Sequence, residues 1–500
     1  MKKIYTFLFM CFVMLSATAQ RYMTPQFSSV DVQTSVTYGV NATVLYYSVL
    51  NEAVPEALVM DVYTPSGDTE TNRPVILYFH TGNFLPFPQN QGTGGTRTDS
   101  TAVEICTRLA KLGYVVASCD YRLGWNPIAP TQEERVNTLI NAAYRGVQDC
   151  RTAVRYFRKS VAESNNPFGI DPSRIAVWGQ GTGGYITLAA SGIDNYTDIL
   201  LPKFTTSAGI PMVLDFVNGD IYGTSVGVNP LNGDTLCYPN HVGYSSDFTV
   251  AVNMGGACGD ISWIDATDNP IVSFQVPTDP FAPYYTGTII VPGLNLPVVE
   301  VSGSYEVQYA LSQYGNNGVF QLAEGYIPGQ PFTDAANLSN NGFFGLFPFN
   351  RPATQPADSG PWEWWDTATN PGSANGLLTN PDMSAAKGKA FCDSIMGYSV
   401  PRIACAFNLQ DSPCYIGVSE EEEMTFGVFP NPATTSFAVR ANGRIAAIRV
   451  SNNLGQVVYN TNINNQEVAF VNTSSWSSGL YFVELISTEG NSAIQKLIIE

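Results

Sequence analysis

Three short runs constrain the fold of this chain more than anything else in it. Arg73–His80 (RPVILYFH), Tyr114–Arg122 (YVVASCDYR) and Arg174–Gln180 (RIAVWGQ) are almost continuously apolar. A strand with one wet face alternates, whereas a continuous run suits a strand buried on both faces. Between the first two runs, DSTAVEICTRLAKLG reads as a helix that Asp99 or Ser100 can cap and Gly113 ends. Between the second and third, Thr131 and Glu134 have the spacing of a capping box ahead of one long helix or two. TVAVNMGG and PIVSFQVPTD read as further central strands, and GSYEVQYALSQYG as another helix. Buried strands alternating with helices imply an α/β fold with a doubly wound, mostly parallel sheet.

Five hundred residues, 44% of them hydrophobic, suit one large domain plus a smaller one. Residues 20–415 are the expected large domain. Residues 310–385 are rich in Phe, Gly, Pro, Asn and Trp, and weak in period. They read either as a cap over the sheet or as an aromatic-lined binding loop. Four consecutive glutamates, Glu420 to Glu423, mark an acidic linker over 416–427. Beyond it the period becomes two, and residues 428–500 predict six or seven short strands in a small all-β sandwich.

The first residues follow a secretory plan. Lys2 and Lys3 precede an apolar stretch, and Ala17 and Ala19 give a small-x-small cleavage pattern, so 1–19 reads as a signal peptide. No second apolar run approaches membrane-spanning length, so no transmembrane segment is expected in the mature chain. The formal net charge of -18 disfavours nucleic acid and anionic membrane as partners. Eight cysteines remain after Cys11 leaves with the signal, an even number compatible with four disulfides. Bridges among Cys392, Cys405 and Cys414 are plausible. With two histidines, no C-x-x-C and no spaced carboxylate loop, neither a metal site nor a cofactor is expected.

The third apolar run ends in Gly179-Gln180-Gly181-Thr182-Gly183 and then an apolar helical pattern. Strand, sharp turn and helix is where a hydrolase holds its nucleophile, as G-x-S-x-G. Here the central position is Gly181, which has no side chain.

Five stretches in order resemble the α/β-hydrolase fold on its carboxylesterase-like side: DVYTP (61–65), YFHTGNF (78–84), DYRLG (120–124), QDCRTAVRYFR (148–158) and DPSRIAVWGQGTGG (171–184). The resemblance makes Gly181 the vacant nucleophile position and Asp279, ahead of Pro280, the acid. It makes His80, Gly82 and Asn83 the oxyanion loop, with the Thr182 N–H opposite. The base should follow the acid in chain order, yet no histidine follows His241. Thr182 is a weak alternative nucleophile, one residue late. Asp120 and Asp149 are expected to bond Arg122, Arg151 or nearby backbone. The tail resembles the carboxyl-terminal sorting domain of Bacteroidota proteins exported by the type IX system, through Pro430-Asn431-Pro432, Leu454-Gly455, Ser478-Gly479-Leu480-Tyr481 and Lys496. That resemblance implies type IX machinery as a partner of 428–500 and a secreted or outer-surface location.

Three functions fit. The first is an exported, catalytically inactive hydrolase-like protein that binds a small ester, carboxylate or carbohydrate. The second is a secreted ester hydrolase with a non-standard site. The third is an adhesive envelope protein presenting aromatic residues of 310–385.

Overall fold

The computed structural model describes residues 21–291, 294–324, 331–352, 354, 358–410, 412–414, 426–487 and 492–500. The expected signal peptide and nearly all of the expected linker lie outside the described residues. Two compact units divide at Tyr415.

Among the described residues the first unit carries twelve strands: β1 (Val30–Thr43), β2 (Val54–Pro65), β3 (Arg73–Phe79), β4 (Val115–Cys119), β5 (Ile170–Gln180), the short pair β6 (Gly227–Val228) and β7 (Thr235–Cys237), β8 (Val250–Met254), β9 (Ile271–Gln275), the antiparallel pair β10 (Thr286–Val291) and β11 (Leu296–Ser302), and β12 (Leu346–Pro348). Eight of them form one sheet in the order β1-β2-β4-β3-β5-β8-β9-β12. β1 and β2 run antiparallel, and every pairing from β4 to β12 is parallel. The three apolar runs are β3, β4 and β5, at the centre. β3 divides its side chains between two cores: Val75, Leu77 and Phe79 face one, Ile76 and Tyr78 the other. This is why a strand buried on both faces shows no alternation.

Helices cover both faces. Gln132–Glu163, a single helix with the Thr131–Glu134 capping box, packs on the first core with Thr182–Gly192 and Ser304–Tyr314. Ser100–Leu112 and Ala385–Ala406 pack on the second. Gly113 ends its helix with a φ of 114°. Asp99 does not cap that helix with its side chain, which instead accepts from the N–H groups of Gly95 and Thr96 in the preceding loop.

Residues 310–385 do more than cap the sheet. They supply its last strand, β12, and the rings of Phe347 and Phe349, which pack with Phe274 and Tyr398 at centroid distances of 4.5–6.0 Å. Short length hid β12 from periodicity. Cys405 and Cys414 are bonded to each other, and Cys392 is free. Arg122 and Asp149, both fully buried, form the expected ion pair, whereas Arg151 donates to the carbonyls of Ala190, Ile193 and Ile221. Among the described residues no helix is long and apolar enough to cross a membrane.

The second unit is all-β and antiparallel: β13 (Phe426–Phe429), β14 (Ser436–Asn452), β15 (Val457–Asn472), β16 (Gly479–Ser487) and β17 (Ser492–Ile499). The strands number five among the described residues, fewer and longer than expected, and β13 starts inside the span expected as linker. β14 pairs with β13 and β15 in its first half and with β15 and β16 in its second, across a break in register between Arg440 and Ile445. One long strand thus stands where the turn signals suggest two. Phe437, Val439, Ile448, Val450, Val483 and Leu497 fill its core.

Candidate active site

β5 ends at Gln180, and helix Thr182–Gly192 begins two residues later. Gly181 makes the turn at φ 54°, ψ -117°, a conformation costly for any residue with a Cβ. Its N–H donates to Met254 O at 2.8 Å, which ties the turn to β8. The flanking glycines allow the helix to approach the sheet. A Cβ on Gly179 would sit 2.5 Å from Gly184 N, and one on Gly183 2.6 Å from the Phe79 carbonyl carbon.

The space beside Gly181 is filled. A Cβ there would overlap Thr81 Oγ1 and lie 2.9 Å from Thr81 Cβ. The Thr81 hydroxyl therefore occupies the place where a nucleophile's side chain would begin. It has no hydrogen-bond partner among the described residues, and Thr81 borders two adjoining cavities. Sequence reasoning passed over Thr81, because filling a neighbour's vacancy across space leaves no pattern along the chain.

Gly82 and Asn83 of the expected oxyanion loop, and Phe84 after them, adopt three successive positive φ angles of 128°, 59° and 54°. The N–H groups of Gly82 and Asn83 donate to no atom of the described residues. The Thr182 N–H opens its helix and so has no intrahelical acceptor. His80 is buried, stacked on Tyr121 at 4.7 Å, with Nδ1 2.5 Å from Thr81 O and Nε2 3.5 Å from Asp120 Oδ1. Burial alone would lower its pKa, but Asp120 and the Thr81 carbonyl outweigh it and raise the value. Held at both ring nitrogens, the His80 imidazole braces the loop. His241 bonds Tyr38 O at 2.7 Å and lines neither cavity.

The hydroxyl of Thr182 is committed. Tyr121 donates its single proton to His80 O at 3.0 Å, so Thr182 donates to Tyr121 at 2.9 Å.

Two carboxyls complete the site. Asp279 follows β9 in a tight turn, where Oδ1 accepts from the N–H groups of Phe281 (2.7 Å) and Ala282 (3.3 Å). Burial, opposed by those bonds and reinforced by nearby Glu363, pushes its pKa up to about 7. Glu363 lies in the segment that follows β12, the last strand of the sheet. Gln180 Nε2 donates to its Oε1 at 2.7 Å, Thr93 Oγ1 lies 3.5 Å from its Oε2, and Asn380 holds its backbone carbonyl. Tyr78 OH in turn fixes Gln180 Oε1. Burial, partly offset by Gln180, pushes Glu363 up to about 7. Chain order is therefore Gly181, Asp279, Glu363, with a glutamate where a hydrolase base would come. The sequence signal was the first of two acids in GPWEWWD, unreadable until β12 was known to precede it.

These groups border a cavity of ≈ 190 Å³, walled mainly by Phe84, Trp125, Phe204, Trp263, Phe281 and Trp362. Thr81, Gln180 and Glu363 separate it from a second, more polar cavity of ≈ 290 Å³ that contains Thr93, Asp99, Trp364, Trp365, Asp366 and Asn370. Among the described residues no cluster of side chains suits a metal ion.

Residues 60–290 match the BD-FAE family, and residues 427–500 match the secretion system C-terminal sorting domain. The large unit is thus an esterase-like α/β-hydrolase domain, and the chain ends in a type IX sorting domain. No curated protein matches the chain. Similar solved structures include a native thermophilic esterase from the Planctomycetes species Thermogutta terrifontis, at 14% identity over 74% of this chain and 93% of that one, with a TM-score of 0.34. Another is a truncated carbohydrate esterase from gut microbiota, at 17% identity over 58% of this chain and 86% of that one, with a TM-score of 0.31.

Proposed function

We propose that this is an exported ligand-binding protein built on a hydrolase frame from which the hydrolytic chemistry has been lost. One observation carries the reading: the turn that would present a nucleophile bears Gly181, and Thr81 has packed into the vacated space. A serine-type mechanism needs an activated hydroxyl and a base, and their joint loss removes most of the expected acceleration. The binding elements remain. The free N–H groups of Gly82 and Asn83 suit an oxygen acceptor, and the apolar cavity suits a small hydrophobic group. Residues 428–500 address the chain to the type IX machinery, and the mature protein acts outside the cell or at its outer surface.

One observation favours a second reading. Thr81 Oγ1 lies at the nucleophile's place, and Glu363 holds the base's place in chain order. In that reading Thr81 attacks an ester carbonyl carbon while Glu363 takes its proton. Glu363 returns that proton to the departing alcohol, and water then cleaves the acyl-threonine.

Turnover of short-chain p-nitrophenyl esters by the full exported chain, beside Thr81→Ala, Thr182→Ala and Glu363→Gln, separates the two. The binding reading expects the buffer rate in all four. Turnover lost in both Thr81→Ala and Glu363→Gln would replace it with the second reading.

A further inference from the structure

Among the described residues the carboxyls of this site have no counter-ion. Asp279 and Glu363 border the apolar cavity, and Glu363, Asp99 and Asp366 border the polar one. Among the described residues no Lys, Arg or His lines either. The partners of Asp279 and Glu363 are neutral: backbone N–H groups, the amides of Gln275 and Gln180, and the Thr93 hydroxyl. Several other acids withdrawn from water are matched with cations, although Asp268 is buried with no cation beside it among the described residues. Asp61 pairs with Arg97, Asp68 with Arg21 and Arg73, Asp149 with Arg122, Asp260 with Lys203, and Asp358 with Arg351 and Lys387. Two carboxyls unmatched in an apolar chamber are costly once ionised; a proton relieves each below about pH 7, and above it an external cation would do so.

The walls suit such a visitor. Aromatic faces attract cations as well as hydrocarbon. The Nε1–H of Trp362, 2% exposed and lining the same cavity, has no acceptor among the described residues. That donor calls for an acceptor on the ligand, separate from any cationic group. The volume exceeds the roughly 150 Å³ in which an engineered cavity of another protein holds benzene. The net charge of -18 draws cations towards the molecule.

We propose that the ligand of the apolar cavity is an organic cation, a single-ring or comparably small hydrophobic body carrying an ammonium group that Asp279 and Glu363 neutralise. This rests on the binding reading above and names its ligand class. Affinity then rises with pH, because the ammonium needs ionised carboxyls and both titrate near 7. The charged and titratable groups around them are Asp99 beside Glu363, and Asp358 and Tyr185 beside Asp279. Asp358 is already neutralised by Arg351 and Lys387.

The test is calorimetric titration of the full exported chain with benzyltrimethylammonium, whose charge does not titrate, against benzyl alcohol and phenylacetate, at pH 6 and pH 8.5. The cation is expected to bind about tenfold more tightly at pH 8.5 and more tightly than either other probe. The pH effect should shrink to about threefold or less in Glu363→Gln. Equal or tighter binding of the alcohol or the anion would overturn the proposal, and so would a cation affinity that is flat or falls with pH. Ester turnover by the wild-type chain would instead overturn the binding reading. The cation would then be scored as an inhibitor, with the same sign of pH dependence required and its absence fatal to the proposal.

Discussion

Two sets of glycines at the end of β5 look alike in sequence and differ in what surrounds them. Gly179 and Gly183 are closed in by backbone: a Cβ on either would fall against Gly184 N or the Phe79 carbonyl. Gly181 is closed in only by a side chain, that of Thr81. Backbone at the heart of a sheet cannot withdraw, whereas a threonine can be replaced. The outer glycines are thus required by the crossing of helix over sheet. The middle one is limited by a side chain that a substitution could remove.

The sharpest way to break that distinction is Gly183→Ala. It should cost about 4 kcal/mol or more and leave little folded protein. Urea unfolding reads the effect, and a mild loss would mean that the helix can shift away from β3.

Gly181→Ser should cost less, about 1–3 kcal/mol, from overlap with Thr81 and from the strained backbone. Adding Thr81→Gly should relieve the overlap, so the double variant is more stable than the two single costs predict. Adding Glu363→His then restores hydroxyl, base and acid in chain order. Ester turnover on the order of 10²-fold above buffer is expected from the triple variant alone. Additive stability costs would show that Thr81 does not compensate for Gly181. A folded but inert triple variant would show that the remaining donors no longer meet a reacting carbonyl.

The same contrast separates what the sequence disclosed from what it did not. β3, β4 and β5 were readable because burial on both faces imposes continuous apolar runs, and Gly181 because a motif names its place. β12 was not, since three residues carry no period. Glu363 was lost with it, for its position matters only through the strand before it. Thr81 was invisible for a different reason, since its role is to fill a gap made by a residue one hundred positions later. In the tail, the break in register at Arg440–Ile445 let one strand read as two.

Protonation gives a smaller effect with a definite sign. Folding raises the Glu363 pKa from 4.5 to about 7. The folded state holds this proton where the unfolded chain has released it. Its stabilising contribution is complete below about 4.5 and is lost as pH rises through about 7. Glu363→Gln cannot titrate, so it should gain on wild type by about 1 kcal/mol between pH 5.5 and pH 8.5 in denaturant midpoints. A constant difference across that range would remove Glu363 from the list of groups that titrate near neutrality.

The smallest effect belongs to the other hydroxyl beside Gly181. Thr182 and Thr81 flank the vacancy, and only one is free. Thr182 donates to Tyr121, which passes its own proton to His80 O, so the hydroxyl ties the helix start to the loop that follows β3. The Thr81 hydroxyl bonds to nothing among the described residues, and Thr81 borders both cavities. Thr182→Val keeps the shape of the side chain and removes the bond. It should cost about 1 kcal/mol in chemical denaturation and leave the ester rate at the buffer level. Wild-type turnover that vanished in this variant would reverse the assignment. The working hydroxyl would then be the one held by Tyr121, and Thr81 would be a filler of space alone.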